Sequence, residues 1–309
     1  MAGLAIDFGG SAVKLGILDA GTIVETAQLT VTGDASDLDR AARTATDLIR
    51  RSSGTAVTGA GLALPGVVDR DAGRLVRAHG KYGYLGDRDL RVWARQTIGL
   101  PAVIENDGRA ALLGELSYGC AVGARDAVIV TLGTGIGSAA IIDGVLLRGR
   151  HDHAGILGGH STVELDGPIC NCGNRGCAEA VASTWALRDR YPGGLRDLFD
   201  TAPEQIDEPT RSDRDRVLQV WGAAIVNLCH AYDPEVVIVT GAVLRSVDRV
   251  LPALTHYVHQ RLWSSSHRPP LISPERPEWS VLRGLGALAD RIEQADHLQQ
   301  PDQTRTVRA

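Results

Sequence analysis

The feature that most constrains this chain is a unit that occurs twice: an apolar strand, a glycine-rich turn and a second apolar strand. The first copy runs from Gly3 to Gly9, through Asp7-Phe8-Gly9-Gly10-Ser11, into Val13 to Asp19. The second runs from Ala127 to Leu132, through Gly133-Thr134-Gly135-Ile136-Gly137, into Ser138 to Ile142. Around the first copy, apolar periodicity predicts a strand at Thr22 to Thr30, a helix over Ser36 to Arg51 and a strand at Val57 to Leu64. Around the second it predicts a long helix from about Arg214 to Tyr232, a strand at Val236 to Thr240 and a helix near Ser246 to Arg261. With 309 residues the chain can build two lobes, each with its own core. The expected class is therefore α/β, with two similar lobes and a central cleft where both turns could meet one phosphate chain. A small domain is expected over 1–118, with a helix at about 285–298 packing back on it, and a large domain over 119–284. Residues 299–309 read as a frayed polar tail.

Glycines in these turns remove side chains that would keep a backbone N–H from an anion, and they permit positive φ. A tight hairpin needs glycine too, so a phosphate cradle and a plain hairpin both remain open. Neither turn is a P-loop or a Gly-x-Gly-x-x-Gly opening a helix.

Composition narrows the function classes. Hydrophobic residues make up 44%, charged residues 22%, and the net charge is -5, which offers no broad basic field for nucleic acid. The N-terminus enters a strand at once, without a basic and apolar leader, and no apolar run approaches membrane-spanning length. A cytoplasmic protein with no membrane or nucleic-acid partner is the expectation.

His160 and the segment Cys170-Asn171-Cys172-Gly173-Asn174-Arg175-Gly176-Cys177-Ala178-Glu179 combine three thiols and an imidazole at metal-ligand spacing. Such a set makes a closed tetrahedral zinc site, which holds a loop in place and does not activate water. Five cysteines, an odd number, fit a disulfide framework poorly. A second polar cluster lies in Ile104-Glu105-Asn106-Asp107-Gly108-Arg109, where an apolar strand gives way to an alanine- and leucine-rich helix. Asn106 or Asp107 could simply cap that helix. A carboxylate at a strand end facing a cleft is also where a general base would stand, and both roles can coexist.

Taken together these motifs resemble a sugar kinase of the ROK family, within the actin-like ATPase, or ribonuclease H-like, superfold. Asp7-Phe8-Gly9-Gly10-Ser11 is similar to the family's first phosphate motif, with serine for the more usual threonine, and Gly133 to Gly137 to its second. Leu64-Pro65-Gly66-Val67-Val68-Asp69 resembles the sugar loop, Glu105-Asn106-Asp107 the motif of the catalytic aspartate, and Cys170 to Glu179 the zinc signature. The resemblance implies that Asp107 is the base accepting the proton of a primary hydroxyl, and that Asp7 acts through magnesium and its waters. Gly9, Gly10, Ser11, Lys14, Thr134 and Gly135 would face the phosphates of ATP. Thr240-Gly241-Ala242-Val243 and Gly284-Leu285-Gly286-Ala287 resemble adenosine-side turns, so Gly241, Ala242 and Gly286 join the nucleotide set. Gly66, Asn106, Asp107, His160 and Glu179 would bind the sugar. His160, Cys170, Cys172 and Cys177 would hold a structural zinc, with the two histidine nitrogens dividing metal and substrate between them. A homodimer is expected from the same resemblance.

Three departures bear on the acceptor. The family's usual Ala-Gly-Glu-x-Gly-His reads here His153-Ala154-Gly155-Ile156-Leu157-Gly158-Gly159-His160, so either Leu157 or, with one inserted residue, Ile156 stands where a carboxylate is expected. Loss of a hydroxyl partner in such a site can shift selectivity by a factor on the order of 10⁴. Asp152, His153 or Asp166 could restore a polar contact. Arg109 replaces a common asparagine and could face solvent, touch substrate or neutralise Asp107. Ala78-His79-Gly80-Lys81-Tyr82-Gly83-Tyr84 replaces the usual sugar-bordering segment, either as an exposed loop or as a source of stacking rings and a cation. The expected function is ATP-dependent phosphorylation of a modified acceptor: an amino sugar, a deoxy sugar or a C7 cyclitol. An ordinary glucokinase, a polyphosphate-using kinase and a non-catalytic sugar sensor are the alternatives. Only six residues precede Asp7, which leaves no room for a helix-turn-helix ahead of it and disfavours the sensor.

Overall fold

Strand β1 (Ala2–Phe8) is buried along its whole length, as a continuous apolar run in a sheet covered on both faces should be. It pairs antiparallel with β2 (Ala12–Asp19), which pairs antiparallel with β3 (Thr22–Thr30). The alternation of exposed and half-buried residues along β3 marks it as the sheet edge. On the other side β1 pairs parallel with β4 (Val57–Leu64), and β4 with a later strand, Ala102–Asn106. Helix α1 (Ser36–Arg51) buries Leu38, Ala41, Ala45 and Leu48, a stripe at helical spacing, and packs on β2 and β3.

The computed structural model describes residues 2–52, 54–78, 82–201, 205–241 and 247–299. The expectations placed on His79, Gly80, Lys81, Ala242, Val243 and the tail from 300 onward lie outside the described residues. The chain divides into two units, Met1–Asp107 with Leu282–Ala309, and Gly108–Val281. The first also contains a small ribbon, β5 (Val67–Asp69) with β6 (Arg74–Arg77), helix α2 (Leu90–Thr97) and the Ala102–Asn106 strand, β7. Helix α3 (Asp107–Tyr118) begins on the last residue of this unit.

The second unit carries β8 (Ala127–Leu132), β9 (Ile136–Ile142) and β10 (Val145–Leu146), then helices α4 (Ala178–Ala182), α5 (Thr184–Leu187), α6 (Leu195–Phe199) and α7 (Glu208–Tyr232). β11 (Val236–Thr240), α8 (Val247–Arg261) and β12 (Leu271–Ile272) complete it, and α9 (Ser280–Gln299) returns to the first unit. The strand orders are β3-β2-β1-β4-β7 and β10-β9-β8-β11-β12. In both, three antiparallel strands are extended by two parallel ones, so one topology is built twice.

Helix α7 starts at Glu208, earlier than periodicity suggests, because Asp207 caps it by accepting from the Thr210 amide at 2.9 Å and Pro209 occupies its first turn. Its Trp221 is buried, stacks on Phe199 with ring centres 5.1 Å apart, and donates to the Ala182 carbonyl at 2.9 Å. The reading of Gly284 to Ala287 as a turn is corrected: these residues lie inside α9. Glycines there and beneath them allow close packing. A Cβ on Gly61 would stand 2.6 Å from the Leu285 carbonyl, and one on Gly286 would stand 3.2 Å from Leu18 Cβ. Among the described residues no helix is long and apolar enough to cross a membrane.

Candidate active site

The parallel strands of the first unit all finish at one edge of the sheet. Their register sets Asp7 beside Ala63 and Leu64 beside Asn106, so the phosphate-type turn, the Leu64-Pro65-Gly66 loop and Asn106-Asp107 share that edge. This is where ligands gather in sheets of this kind. Asn106 organises the corner: its side-chain amide donates to the Gly66 carbonyl at 2.9 Å and to Asp107 Oδ1 at 3.0 Å. Gly66 sits at φ +90°, and a Cβ would stand 2.2 Å from the Arg77 carbonyl, so only glycine fits. Glu105 is wholly buried, accepts the Asn106 amide at 2.9 Å and lies 3.8 Å from Arg70.

Two carboxylates of unlike character result. Asp107 is half-buried, while Asp7 lies buried at the end of β1. Burial and the nearby charge of Asp107 push Asp7 up to about 7, against the opposing pull of Lys14, its partner across the β1–β2 ladder. A buried carboxyl poised near neutrality is suited to a cation.

Both glycine turns close β-hairpins, with the Gly9 amide donating to the Ala12 carbonyl at 3.0 Å and that of Gly133 to Gly135 at 3.0 Å. None of Gly9, Gly10, Gly133 and Gly135 adopts positive φ, so the conformational reason for glycine does not apply. Space does. A Cβ on Gly9 would stand 3.0 Å from the Ala12 carbonyl and one on Gly135 2.5 Å from Glu179 Oε2, whereas at Gly10 and Gly133 it would meet nothing. There the absent side chain leaves backbone open to a ligand, and Ser11 and Thr134 are exposed beside it.

The supports beneath the turns differ. Tyr82 donates its hydroxyl to the Gly9 carbonyl at 2.7 Å and packs edge-on against Phe8, while Tyr84 donates to Asp37 at 3.3 Å. Tyr82 is thus a buried brace, which corrects the alternative of an exposed loop at this residue. Under the second turn, Glu179 Oε2 accepts the Ile136 amide at 2.8 Å and Oε1 accepts the Trp185 indole N–H at 3.3 Å. The amides of Thr184 and Trp185 donate to the carbonyls of Gly133 and Thr134 at 3.0 and 3.2 Å. Gly241, at φ +120°, closes against the Leu132 carbonyl, which a Cβ would approach to 2.0 Å.

The ligand atoms of His160, Cys170, Cys172 and Cys177 lie within 4.8 Å of one another. His160 Nδ1 is 3.6 Å from Cys170 Sγ, and the sulfurs of Cys172 and Cys177 are 3.7 Å apart. The edge of a tetrahedral zinc–thiolate site is about 3.8 Å, given zinc–sulfur bonds of about 2.3 Å, so the four residues fit that ion. All five cysteines are free. Burial raises the thiols of Cys170 and Cys177, and a cation among them would favour their thiolate forms. Cys177 leads directly into α4, which carries Glu179.

Arg109, the third residue of α3, is fully buried. Its Nε donates to the Leu147 carbonyl at 3.0 Å, and its Nη2 donates to those of Asp152 and Ala154 at 3.0 and 2.9 Å. The solvent-facing alternative is therefore corrected. The Asp152 carboxylate is drawn to Arg109 and Arg148, each 3.5 Å away, so it is engaged within the protein. Further along, Ile156 is buried while Leu157 is 41% exposed, so of this adjacent pair it is Leu157 that faces outward. His153 and Asp166 are exposed.

Residues 3–292 match the profile of the ROK family. The chain belongs to the ROK family. It is 32% identical over 265 residues to a glucokinase of Thermotoga maritima, covering 79% of this chain and 82% of that protein. It is 29% identical over 211 residues to the xylose repressor of Bacillus subtilis, covering 67% of this chain and 54% of the repressor. The ROK family glucokinase of Streptomyces griseus, solved with glucose and AMPPNP, superposes with a TM-score of 0.75 at 28% identity, covering 94% of this chain and 100% of the other. The mixed α/β architecture of this ROK protein is the actin-like ATPase fold.

Proposed function

We propose that this ROK protein is an ATP-dependent sugar kinase that phosphorylates a primary hydroxyl of a hexose or hexose-like acceptor. The observation that carries the reading is the corner where Asn106, anchored on Gly66, holds the half-buried Asp107 next to the buried Asp7. Asp107 accepts the hydroxyl proton, the acceptor oxygen bonds to the γ-phosphorus, and the bond from that phosphorus to the β-phosphate oxygen breaks to release ADP. Asn106 fixes the orientation of Asp107 through Oδ1. Gly9, Gly10, Ser11, Lys14, Thr134 and Gly135 hold the phosphates, and Gly241 borders the adenosine. Magnesium, held through Asp7, neutralises charge on those phosphates when bound. His160, Cys170, Cys172 and Cys177 hold a structural zinc, and Gly66, Asn106, His160 and Glu179 contact the sugar. A cytoplasmic homodimer belongs to the same reading.

The acceptor is a modified sugar or cyclitol. Leu157 offers hydrocarbon where a carboxylate would bind hydroxyls, and this favours an acceptor lacking or masking a hydroxyl at the facing carbon. The likeness to a xylose repressor supports a second reading, a sugar sensor without turnover. An ADP-release assay with Mg-ATP across glucose, 2-deoxyglucose, glucosamine, N-acetylglucosamine and C7 cyclitols distinguishes them. Turnover centred on a modified acceptor supports the kinase reading. Sugar binding without ADP release from ATP, and without product from polyphosphate, supports the sensor.

A further inference from the structure

We infer that Arg109 is a positioning residue that shapes the acceptor loop and thereby sets acceptor selectivity, an inference that rests on the kinase reading above. The strand of chain from Leu147 to Ala154 is folded around a buried guanidinium that takes three of its carbonyls, those of Leu147, Asp152 and Ala154. Asp152 adopts φ +57°, a left-handed conformation that side chains rarely take, and its peptide carbonyl is one of the three. A planar guanidinium presents donors in a fixed fork, and this is what three carbonyls approaching from different peptides require. An ammonium is a single point of charge and cannot serve them in the same geometry.

What Arg109 holds at one end, β9 holds at the other. Ser138 donates its hydroxyl to the Gly155 carbonyl at 2.6 Å and accepts the Gly158 amide at 2.8 Å. Gly159 packs so tightly on Ile136 that a Cβ would come within 2.0 Å of its carbonyl. Between these anchors stand buried Ile156 and outward-facing Leu157, followed by His160 at the thiol cluster. Leu157 is therefore not a loose side chain on a mobile loop. It is aimed by two buried polar anchors, the Arg109 guanidinium and the Ser138 hydroxyl. The acceptor class that this aim favours carries hydrogen or an apolar substituent where glucose carries a hydroxyl.

The test uses full-length protein carrying Arg109→Lys or Ser138→Ala, compared with wild type. Kinetics with glucose, 2-deoxyglucose, glucosamine, N-acetylglucosamine and C7 cyclitols give KM and kcat for each acceptor, and amide exchange is followed over 147–160. We expect Arg109→Lys to raise the KM of the preferred acceptor about tenfold and to cut its preference over glucose by a similar factor. KM for Mg-ATP should change less than about twofold, and exchange should quicken in 147–160 alone. Ser138→Ala should do the same more weakly, and it serves as the test if Arg109→Lys does not fold. Unchanged acceptor KM and selectivity in an active variant overturn the inference while leaving the kinase reading intact. A wild-type protein that turns over no acceptor removes both, and the exchange data then show whether Arg109 orders the loop for another purpose. An equal loss of kcat with every acceptor, with exchange accelerated throughout the chain, also overturns it, because that is the mark of general destabilisation.

Discussion

The two glycine turns occupy equivalent places in two sheets of the same topology, yet they are held by opposite means. The first rests on an uncharged phenol, Tyr82, brought from a segment beyond β6 to the Gly9 carbonyl. The second rests on a carboxylate, Glu179, brought by the helix that leaves the thiol cluster. The first turn has its buried charge behind it, in Asp7, and the second has its charge beneath it. The shared topology thus sets where the turns lie, and different connecting segments steady them. The second turn is tied to the thiol cluster through Cys177 and α4, and the first is not.

That contrast can be broken most forcefully at the metal. Chelation of zinc, or Cys172→Ala, should cost about 5 kcal/mol or more in the second unit and lower its thermal midpoint by roughly 10–20 °C. Amide exchange should accelerate around Gly133 to Ile136 and leave Gly9 to Ser11 protected; equal loosening of both turns would contradict the contrast. Glu179→Ala leaves the Ile136 amide and the Trp185 indole without their acceptor, at a cost of about 3 kcal/mol. It should weaken Mg-ATP and acceptor together, whereas calorimetry showing wild-type stability would remove Glu179 as the support.

Asp7 sharpens the comparison through pH. Its folded value, about 7, lies above the unfolded 3.8, so the folded state retains a proton that the unfolded state has lost between those limits. Its favourable contribution is complete below about pH 4 and is lost as pH rises through 7. In nucleotide-free protein Asp7→Asn should therefore be more stable than wild type at pH 8, by about 2–4 kcal/mol, with the gap closing toward pH 4. Denaturant melts at the two pH values read this directly, and a variant less stable than wild type at pH 8 would be inconsistent with a strained Asp7. The smallest effect is expected from Tyr82→Phe, which deletes one hydrogen bond worth about 1 kcal/mol. KM for Mg-ATP should rise by no more than about fivefold, with the thiol cluster undisturbed.

Much of this was legible in the sequence. Strands β1 to β4 and β11 follow from local apolar patterning, and the thiol cluster follows from the spacing of Cys170, Cys172 and Cys177. The residues that escaped local reading share one property: their partners are remote in the chain. Arg109 meets carbonyls 38 to 45 residues away, and Tyr82 meets a carbonyl 73 residues away. Gly284 to Ala287 reads as a turn from its likeness to adenosine-side turns, but tight helix packing on β1 and β4 calls for the same glycines. The early start of α7 was hidden in a charged stretch, although Asp207 and Pro209 are ordinary start signals. Two adjacent aliphatic residues do not reveal which is buried, and the fold buries Ile156 and exposes Leu157.

The central claim is that Asp107 serves as the base of a sugar phosphotransferase. Its most direct test is ADP release from Mg-ATP, with the best acceptor of the panel, by wild type and Asp107→Asn in parallel with acceptor binding by calorimetry. The account predicts acceptor-dependent turnover in wild type and a loss of about 10²–10⁴-fold in the variant, with acceptor affinity retained within a few-fold. Wild-type turnover in the variant, or wild-type protein that binds sugar and never releases ADP, would contradict it.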